Sequence, residues 1–278
     1  MKTSRIVCVV LSLVVVTFSV SACRQSSDTS KKIEIKQDEE DNIKIDNNNA
    51  EAIDIEKVKF DNVDKDLAQK KLTKTKIENK SIFNTSNIKL VYSEYDKNGN
   101  LISSDSNAFL GITLLPGDTA YVELEHKEFA NIIEITSYSY TAEGKRVNVN
   151  LKNDKIDIKK ASVITENSKS YETLVLSDFK KLNDAEDGNT YRLKVKNSSS
   201  KDLGNLILKV AELNENGDYI NLEHIAYNSV LKASEETEID VISSIDARKL
   251  KVVGYIYNDT DQNINVDIDF NSHRAIVD

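Results

Sequence analysis

The sequence predicts an all-β protein in which two tandem immunoglobulin-like β-sandwich domains follow a signal peptide and a flexible tether. Apolar residues recur at every second position in several short segments, which is the period of half-buried strands; these include residues 88–92, 147–151 and 264–268. Asn-Gly pairs, a strong hairpin feature, lie between strand-like runs at Asn98-Gly99 and Asn216-Gly217. The chain also repeats itself, and its 278 residues suit two copies of one domain.

The first 22 residues have the organisation of a secretory signal peptide. Lys2 and Arg5 precede an uncharged apolar run over residues 6–20, and Ser21-Ala22 are small residues of the kind that precede a cleavage site. Together with Cys23 they resemble the lipobox of bacterial lipoproteins, with valine replacing the commoner leucine at the first position. The resemblance implies cleavage before Cys23, acylation of its sulfur, and a place on the extracytoplasmic face of the cell membrane. An ordinary cleaved signal followed by a chance cysteine is the alternative.

Residues 23–56 are expected to form the acylated cysteine and a disordered tether. The segment is polar, with an acidic run at 38–41 and an asparagine run at 47–49. Such a composition buries too little apolar surface to offset the entropy of ordering the chain. Ile53-Asp54-Ile55 alternates with period two, which makes it a candidate for a first strand of the folded part.

The two predicted domains, residues 57–160 and 161–278, are copies of one unit. Asn79–Ser81 matches Asn197–Ser199 at an offset of 118 residues, which becomes 117 after a one-residue gap. The later matches pair Tyr138 and Tyr140 with Tyr255 and Tyr257, and Val147, Val149 and Leu151 with Ile264, Val266 and Ile268. A period this long indicates duplication of a whole domain rather than a solenoid repeat.

The first copy carries a set of turn motifs: Asn79-Lys80-Ser81, Tyr95-Asp96 before Asn98-Gly99, and Pro116-Gly117-Asp118. This set is similar to the FxLYD-type domains of bacterial surface lipoproteins. The resemblance implies a small immunoglobulin-like module, often secreted or lipid-anchored, with no assigned catalytic residues. The second copy departs from the pattern, with Leu213-Asn214 for Tyr-Asp and Ala233-Ser234-Glu235 for Pro-Gly-Asp.

Metal and cofactor chemistry has little support in the sequence. The three histidines form no zinc-binding spacing, and no phosphate-binding loop or nucleophile motif occurs. Asp259-Thr260-Asp261-Gln262-Asn263 is an oxygen-rich cluster that could hold a weak surface Ca²⁺, although a solvated turn is the favoured interpretation. We therefore expect no catalytic residues, no metal and no cofactor.

A possible binding face is the tyrosine pair that both copies carry. Tyr138 and Tyr140 are two residues apart and so share one strand face, as do Tyr255 and Tyr257. Exposed rings there could stack on a sugar or anchor a protein partner. The alternative is a packing role, which the presence of the pair in both copies favours.

These features predict a non-catalytic binding module on the cell surface, in contact with a cell-wall polymer or an envelope protein. The net charge of −9, which becomes −11 once Lys2 and Arg5 are removed, argues against nucleic acid as a partner. The alternative is an envelope enzyme, or an accessory domain of one, with a carboxylate site that the sequence does not single out. A solute-binding lipoprotein is less favoured, because the chain shows no α/β alternation.

Overall fold

The computed structural model describes residues 44–58, 60, 71–163, 165–185 and 188–278, and this part of the chain is all-β. The all-β class predicted from the sequence is therefore confirmed. The described residues fall within one compact unit, 43–278. The predicted signal peptide, Cys23 and the tether up to residue 43 lie outside the described residues. Within the described ranges, no helix has the length and apolar character that crossing a bilayer requires.

The first repeat supplies eight strands arranged in two antiparallel groups. Strands β1, β2 and β5 are hydrogen-bonded in the order β1-β2-β5, and the other five in the order β4-β3-β6-β7-β8. Their bounds are β1 Ile53–Ile55, β2 Leu72–Asn79, β3 Ser86–Tyr95, β4 Leu101–Leu110, β5 Thr119–Glu125, β6 Ile132–Ala142, β7 Lys145–Asn150 and β8 Lys155–Lys160.

The second repeat builds a similar arrangement with two additional strands, β9 and β11. Strands β10 and β11 pair with β12, which pairs with β15, while the other group runs β14-β13-β16-β17-β18-β9. The bounds are β9 Glu166–Asn167, β10 Leu174–Leu176, β11 Lys180–Ala185, β12 Gly188–Asn197, β13 Leu203–Leu213, β14 Tyr219–Ala226, β15 Glu236–Ser243, β16 Lys249–Asp259, β17 Ile264–Asp269 and β18 Arg274–Val277, with a 3₁₀ turn at Ser168–Ser170.

Alternating residues of both groups face each other across the core of each repeat. In the first repeat, Ile77 and Val122 of the β1-β2-β5 group share one hydrophobic cluster with Leu90 of β3 and Val147 of β7. The second repeat has its own cluster, which likewise joins residues of β12 and β15 to residues of β13 and β16. Packing of two sheets through their apolar faces is the sandwich arrangement.

One sheet contains strands of both repeats. Tyr219 of β14 pairs in parallel with Ala120 of β5, which gives a nine-stranded sheet in the order β1-β2-β5-β14-β13-β16-β17-β18-β9. The predicted division into separate domains at residues 160 and 161 stays a prediction.

The segment 44–56 differs from the predicted tether. Ile45, Ala50, Ala52 and Ile53 are buried in the first hydrophobic cluster, and Ile53–Ile55 forms β1 against β2. Apolar side chains spaced through this otherwise polar segment are enough to hold it on the core. Residues 44–56 therefore belong to the folded unit, and Ile53–Ile55 forms the strand that the sequence predicted as a candidate.

The predicted residue-by-residue match between the repeats is wrong in the β6–β7 hairpin and its equivalent, β16–β17. Tyr138 pairs with Val149, whereas the equivalent Tyr255 pairs with Ile268, so Val149 corresponds to Ile268 and not to Val266. The second hairpin has two more turn residues, since Asp259 pairs with Ile264 where Ala142 pairs with Lys145. Leu151, which was matched to Ile268, follows β7 and is exposed.

The Asn-Gly hairpins are present, but they are not the type I′ turns that an Asn-Gly pair between two strands predicts. Gly99 and Gly217 each have φ +82°, while neither Asn98 nor Asn216 has a positive φ. The Gly99 amide donates to the Asp96 carbonyl at 3.0 Å, and the Asp96 carboxylate accepts the Asn98 and Asn100 amides. This is a type I turn followed by a left-handed glycine, which matches strand twist in a longer loop.

Candidate functional site

The four tyrosines that were predicted as a possible binding face are buried. Tyr138 and Tyr140 stack with ring centroids 6.4 Å apart, and Tyr255 and Tyr257 stack at 5.8 Å. All four side chains belong to the hydrophobic clusters, with at most 3% of any residue exposed. They offer no ring face to a partner, so the expectation of a binding face is wrong and the packing role is correct.

Their hydroxyl groups join each sandwich to the segment that leads into it. Tyr140 Oη donates to the Ala50 carbonyl at 2.9 Å, and Tyr257 Oη donates to the Tyr171 carbonyl at 3.0 Å. Burial raises the pKa of Tyr138 to about 12 and also raises the pKa of Tyr140 and Tyr257. A buried phenol that keeps its proton is suited to this structural hydrogen bond.

The oxygen cluster at 259–263 uses its principal carboxylate internally. Asp259 is buried; it accepts a hydrogen bond from Lys201 Nζ at 2.5 Å and from the backbone amides of Asp261 and Gln262. Burial alone would raise the pKa of Asp259, but these hydrogen bonds outweigh it and lower the pKa. The described residues contain no group of three histidine, cysteine or acidic side chains positioned to share a metal ion.

The Asn-x-Ser motif of both repeats is structural. The fully buried Asn79 amide donates to the carbonyls of Phe83 and Leu114, and its oxygen accepts from Ser81. Asn197 makes the equivalent hydrogen bonds to Lys201, Leu231 and Ser199. These side chains satisfy loop carbonyls that would otherwise be buried without a donor.

A cleft of about 590 Å³ opens between the two repeats. Its apolar lining comes mainly from the end of β4 and the residues after it, including Phe109, Leu110 and Ile112, with Val163 and Ile276 opposite. The charged lining comes from both repeats: Glu143 and Arg146 of the first, and Lys209, Asp267, Asp269 and Arg274 of the second. Three acidic and three basic side chains make the lining neutral, in contrast to the acidic chain.

Most of the charged groups in the cleft are already paired. Lys209 Nζ lies 2.5 Å from Asp267 Oδ1, and the Arg274 guanidinium lies 3.7 Å from Glu143 Oε1. Asp269 accepts hydrogen bonds from the Thr113 hydroxyl and from the backbone amide of Asn271. Asp267 and Asp269 are thus hydrogen-bond acceptors of neighbouring groups, whereas Glu143 makes only a longer ion pair near the surface.

Phe109 and Arg146 are the cleft residues best placed to meet a ligand. The Phe109 residue is 70% exposed, and its cross-strand partner Lys89 holds an ammonium 5.5 Å from the ring centroid. Its neighbours on β4, Ala108 and Leu110, point into the core, so the ring occupies the outward face of an otherwise polar strand. Arg146 donates to the Ser139 hydroxyl at 2.8 Å, which leaves donors of its guanidinium for other acceptors.

Polar contacts join the two repeats, which form the two sides of the cleft. Asp218 of the second repeat immediately precedes β14. Its carboxylate accepts hydrogen bonds from Lys76 Nζ at 3.1 Å and from the Thr119 hydroxyl, both of the first repeat. Asn271 Nδ2 donates to the Thr113 carbonyl at 2.7 Å across the same boundary. Ala211, Leu213, Tyr219 and Val253 of the second repeat join the first repeat's hydrophobic cluster. Buried apolar contacts and charged contacts therefore both join the two repeats.

Sequence reasoning missed the cleft because its lining comes from segments that lie more than 150 residues apart in the chain, as Phe109 and Ile276 do. One local feature could have indicated Phe109. At alternate positions of the strand-like run 101–110, Phe109 follows Ser103, Asp105 and Asn107, so a large aromatic residue continues a polar series.

The chain matches no protein-family description and no curated protein. Among solved structures, a red sea bream transglutaminase is similar at 8% identity with a TM-score of 0.23, over 81% of this chain and 31% of that one. A chain of a chaperone–tip adhesin complex of CFA/I fimbriae is similar at 9% identity with a TM-score of 0.17, over 77% of this chain and 97% of that one. Similarities this low carry no argument about fold or function.

Proposed function

We propose that this chain is a lipid-anchored, extracytoplasmic binding module without catalytic activity, and that it holds its ligand in the cleft between the repeats. The observation that carries the proposal is the cleft itself, which combines a volume of about 590 Å³, an exposed aromatic ring and fixed polar groups. Clefts with an apolar lining and a few well-placed polar groups are the usual form of ligand sites.

The anchor part of the proposal rests on the sequence from Lys2 to Cys23. The basic end, the apolar run and the cysteine after Ser21-Ala22 support acylation at Cys23. Two or more acyl chains would hold the protein stably on the membrane, whereas a single chain would bind only marginally.

The chemistry of the cleft favours a cell-wall polymer as the ligand. Glycans present many hydroxyl groups that both donate and accept, and they present apolar faces that stack on aromatic rings. In the neutral, mixed-charge lining, Arg146 supplies guanidinium donors that Ser139 does not use, and Phe109 supplies the ring. An enzyme using paired carboxylates is not favoured, because Glu143, Asp267 and Asp269 are each engaged by a neighbouring group.

Pelleting of the protein with purified wall sacculi tests this proposal. Phe109→Ala should weaken binding about 5- to 30-fold, since stacking of an aromatic ring contributes about 1–2 kcal/mol. Phe129→Ala is the matched control, because Phe129 is 74% exposed and is absent from the cleft lining. Equal binding by both variants and the wild type would refute the proposal that the wall polymer binds in the cleft.

A further inference from the structure

The contact between the repeats uses a defined row of residues at one end of the second repeat. In that repeat, Leu213 of β13 pairs with Tyr219 of β14 on one side and with Lys249 of β16 on the other. Leu213 and Tyr219 are buried in the first repeat's hydrophobic cluster. This docking row lies against the edge of β5, where Tyr219 pairs with Ala120.

The first repeat carries the equivalent row, and it is exposed. Tyr95 of β3 pairs with Leu101 of β4 and with Ile132 of β6, the same positions as Leu213, Tyr219 and Lys249. Leu101 is 59% exposed and Ile132 is 46% exposed. The free row is more apolar than its equivalent in the second repeat, because Ile132 stands where that row has Lys249, which stays exposed beside the buried Leu213 and Tyr219. Contiguous exposed apolar surface of this kind typically marks a contact site.

The second repeat carries the edge that would complete such a contact. β15 is the equivalent of β5, and within the described residues β15 pairs only with β12, which leaves its other edge open. Thr237 of β15 occupies the position of Ala120, and Glu236 that of Thr119. One end of the molecule therefore has a free docking row, and the other end has a free receiving edge.

The polar groups at the two free ends differ from those at the equivalent positions of the buried contact. In the buried contact, Lys76 Nζ and the Thr119 hydroxyl both donate hydrogen bonds to the Asp218 carboxylate. At the free edge the equivalent groups are Lys194, a donor, and Glu236, an acceptor, 3.8 Å apart. The position of Asp218 is taken in the free row by Asn100, whose amide supplies both an acceptor and a donor.

We propose that two copies of this chain associate head to tail, with the row Leu101–Tyr95–Ile132 of one copy against the β15 edge of the next. The contact repeats between molecules the geometry that joins the repeats within one molecule, with Leu101 beside Thr237 and Asn100 between Lys194 and Glu236. Because the two surfaces differ, the contact is heterologous and leaves a free surface at each end for further copies.

Disulfide trapping of the full chain in membranes tests the proposal. The double variant Leu101→Cys/Thr237→Cys should give a ladder of dimers, trimers and larger species under mild oxidation, because the paired Cα atoms lie within disulfide range. The double variant Ala120→Cys/Tyr219→Cys is the positive control, since the same pairing inside one chain should give a monomer with an internal bond. Wild-type protein shows the background from Cys8 and Cys23.

The outcomes separate the alternatives. A ladder from the double variant, with no dimer from either single variant, supports the head-to-tail contact. Dimers from Leu101→Cys alone would indicate that the two rows meet face to face, and would overturn the proposal. No intermolecular bond in the double variant, while the internal control forms its bond, would also overturn it. None of these results depends on wall binding through Phe109.

Discussion

Asp218→Ala should destabilise the protein through the junction between the repeats. The Asp218 side chain is only 5% exposed, and it accepts hydrogen bonds from Lys76, Thr119 and Asn214. Removal of the carboxylate leaves three donors without an acceptor, and one of them carries a charge. The loss therefore falls on the contact that holds both repeats together.

The magnitude follows from the exposure of each donor. A hydrogen bond to a charged group contributes about 1.5–3 kcal/mol, and breaking a buried pair costs about 3–5 kcal/mol. Lys76 keeps 26% exposure and can be rehydrated, so we expect a loss of about 3 kcal/mol for Asp218→Ala and a smaller loss for Asp218→Asn. Burial alone would raise the pKa of Asp218, but its three hydrogen bonds outweigh it and lower the pKa. The contribution is thus present above about pH 4, the ordinary carboxyl range, and is lost as the pH falls through the lowered pKa.

Urea unfolding followed by circular dichroism measures this loss. Asp240→Ala is the control, because Asp240 makes a two-point ion pair with Arg192 at 2.7 and 2.9 Å on the exposed face of β12 and β15. The pair is solvent-exposed and Arg192 keeps a second partner in Glu238 at 3.1 Å, so the control should unfold close to the wild type. If Asp218→Ala unfolded at the same urea concentration as Asp240→Ala, the junction would not contribute in the way its contacts indicate.

Three further predictions concern features that the repeats share. Asn79→Ala and Asn197→Ala should each lower the free energy of unfolding by about 2–4 kcal/mol, because each leaves buried carbonyls without donors; unchanged urea midpoints would contradict this. Gly117→Ala should lower the free energy of unfolding by about 1 kcal/mol or more, because Gly117 has φ +83° and an added Cβ would meet no neighbour within 4 Å that could offset the strain. At the equivalent position of the second repeat, where Ser234 has φ +62°, Ser234→Gly should show no loss of stability in thermal unfolding. The free energy of unfolding should fall between about pH 10 and pH 12, because the unfolded chain ionises its phenols near pH 10 while burial raises the pKa of Tyr138 in the folded protein to about 12. A phenolate absorbance that had risen fully by pH 10 in the folded protein would refute this prediction.

The strands and their turns could be predicted from local sequence because their causes are local. Alternation of apolar residues identified β3 at 88–92, and positive φ at Gly117 follows from the Pro-Gly pair. The type of the Asn-Gly turn could not be predicted from the pair alone. The Asp96 carboxylate accepts two amides of the loop and so favours a longer turn with only Gly99 left-handed.

The candidate site could not be predicted because it depends on contacts between repeats. The tyrosine pair at Tyr138 and Tyr140 has the alternation of a strand face, but alternation does not distinguish the inward face from the outward one when serines flank both rings. The cleft depends on how β5 meets β14, a pairing that one parallel bridge at Tyr219 establishes. Neither that bridge nor the ion pair that supports it has a pattern in either repeat alone.

The most direct test of the account is metabolic labelling with a radioactive fatty acid in a bacterial host that acylates lipoproteins. The proposed function places the binding cleft on the cell surface through acylation of Cys23, so the wild type should be labelled and Cys23→Ser should not. Cys8→Ser is the matched control and should be labelled like the wild type, because the proposed cleavage before Cys23 would remove Cys8 with the signal segment. Undiminished label on Cys23→Ser would contradict the anchored module that we propose.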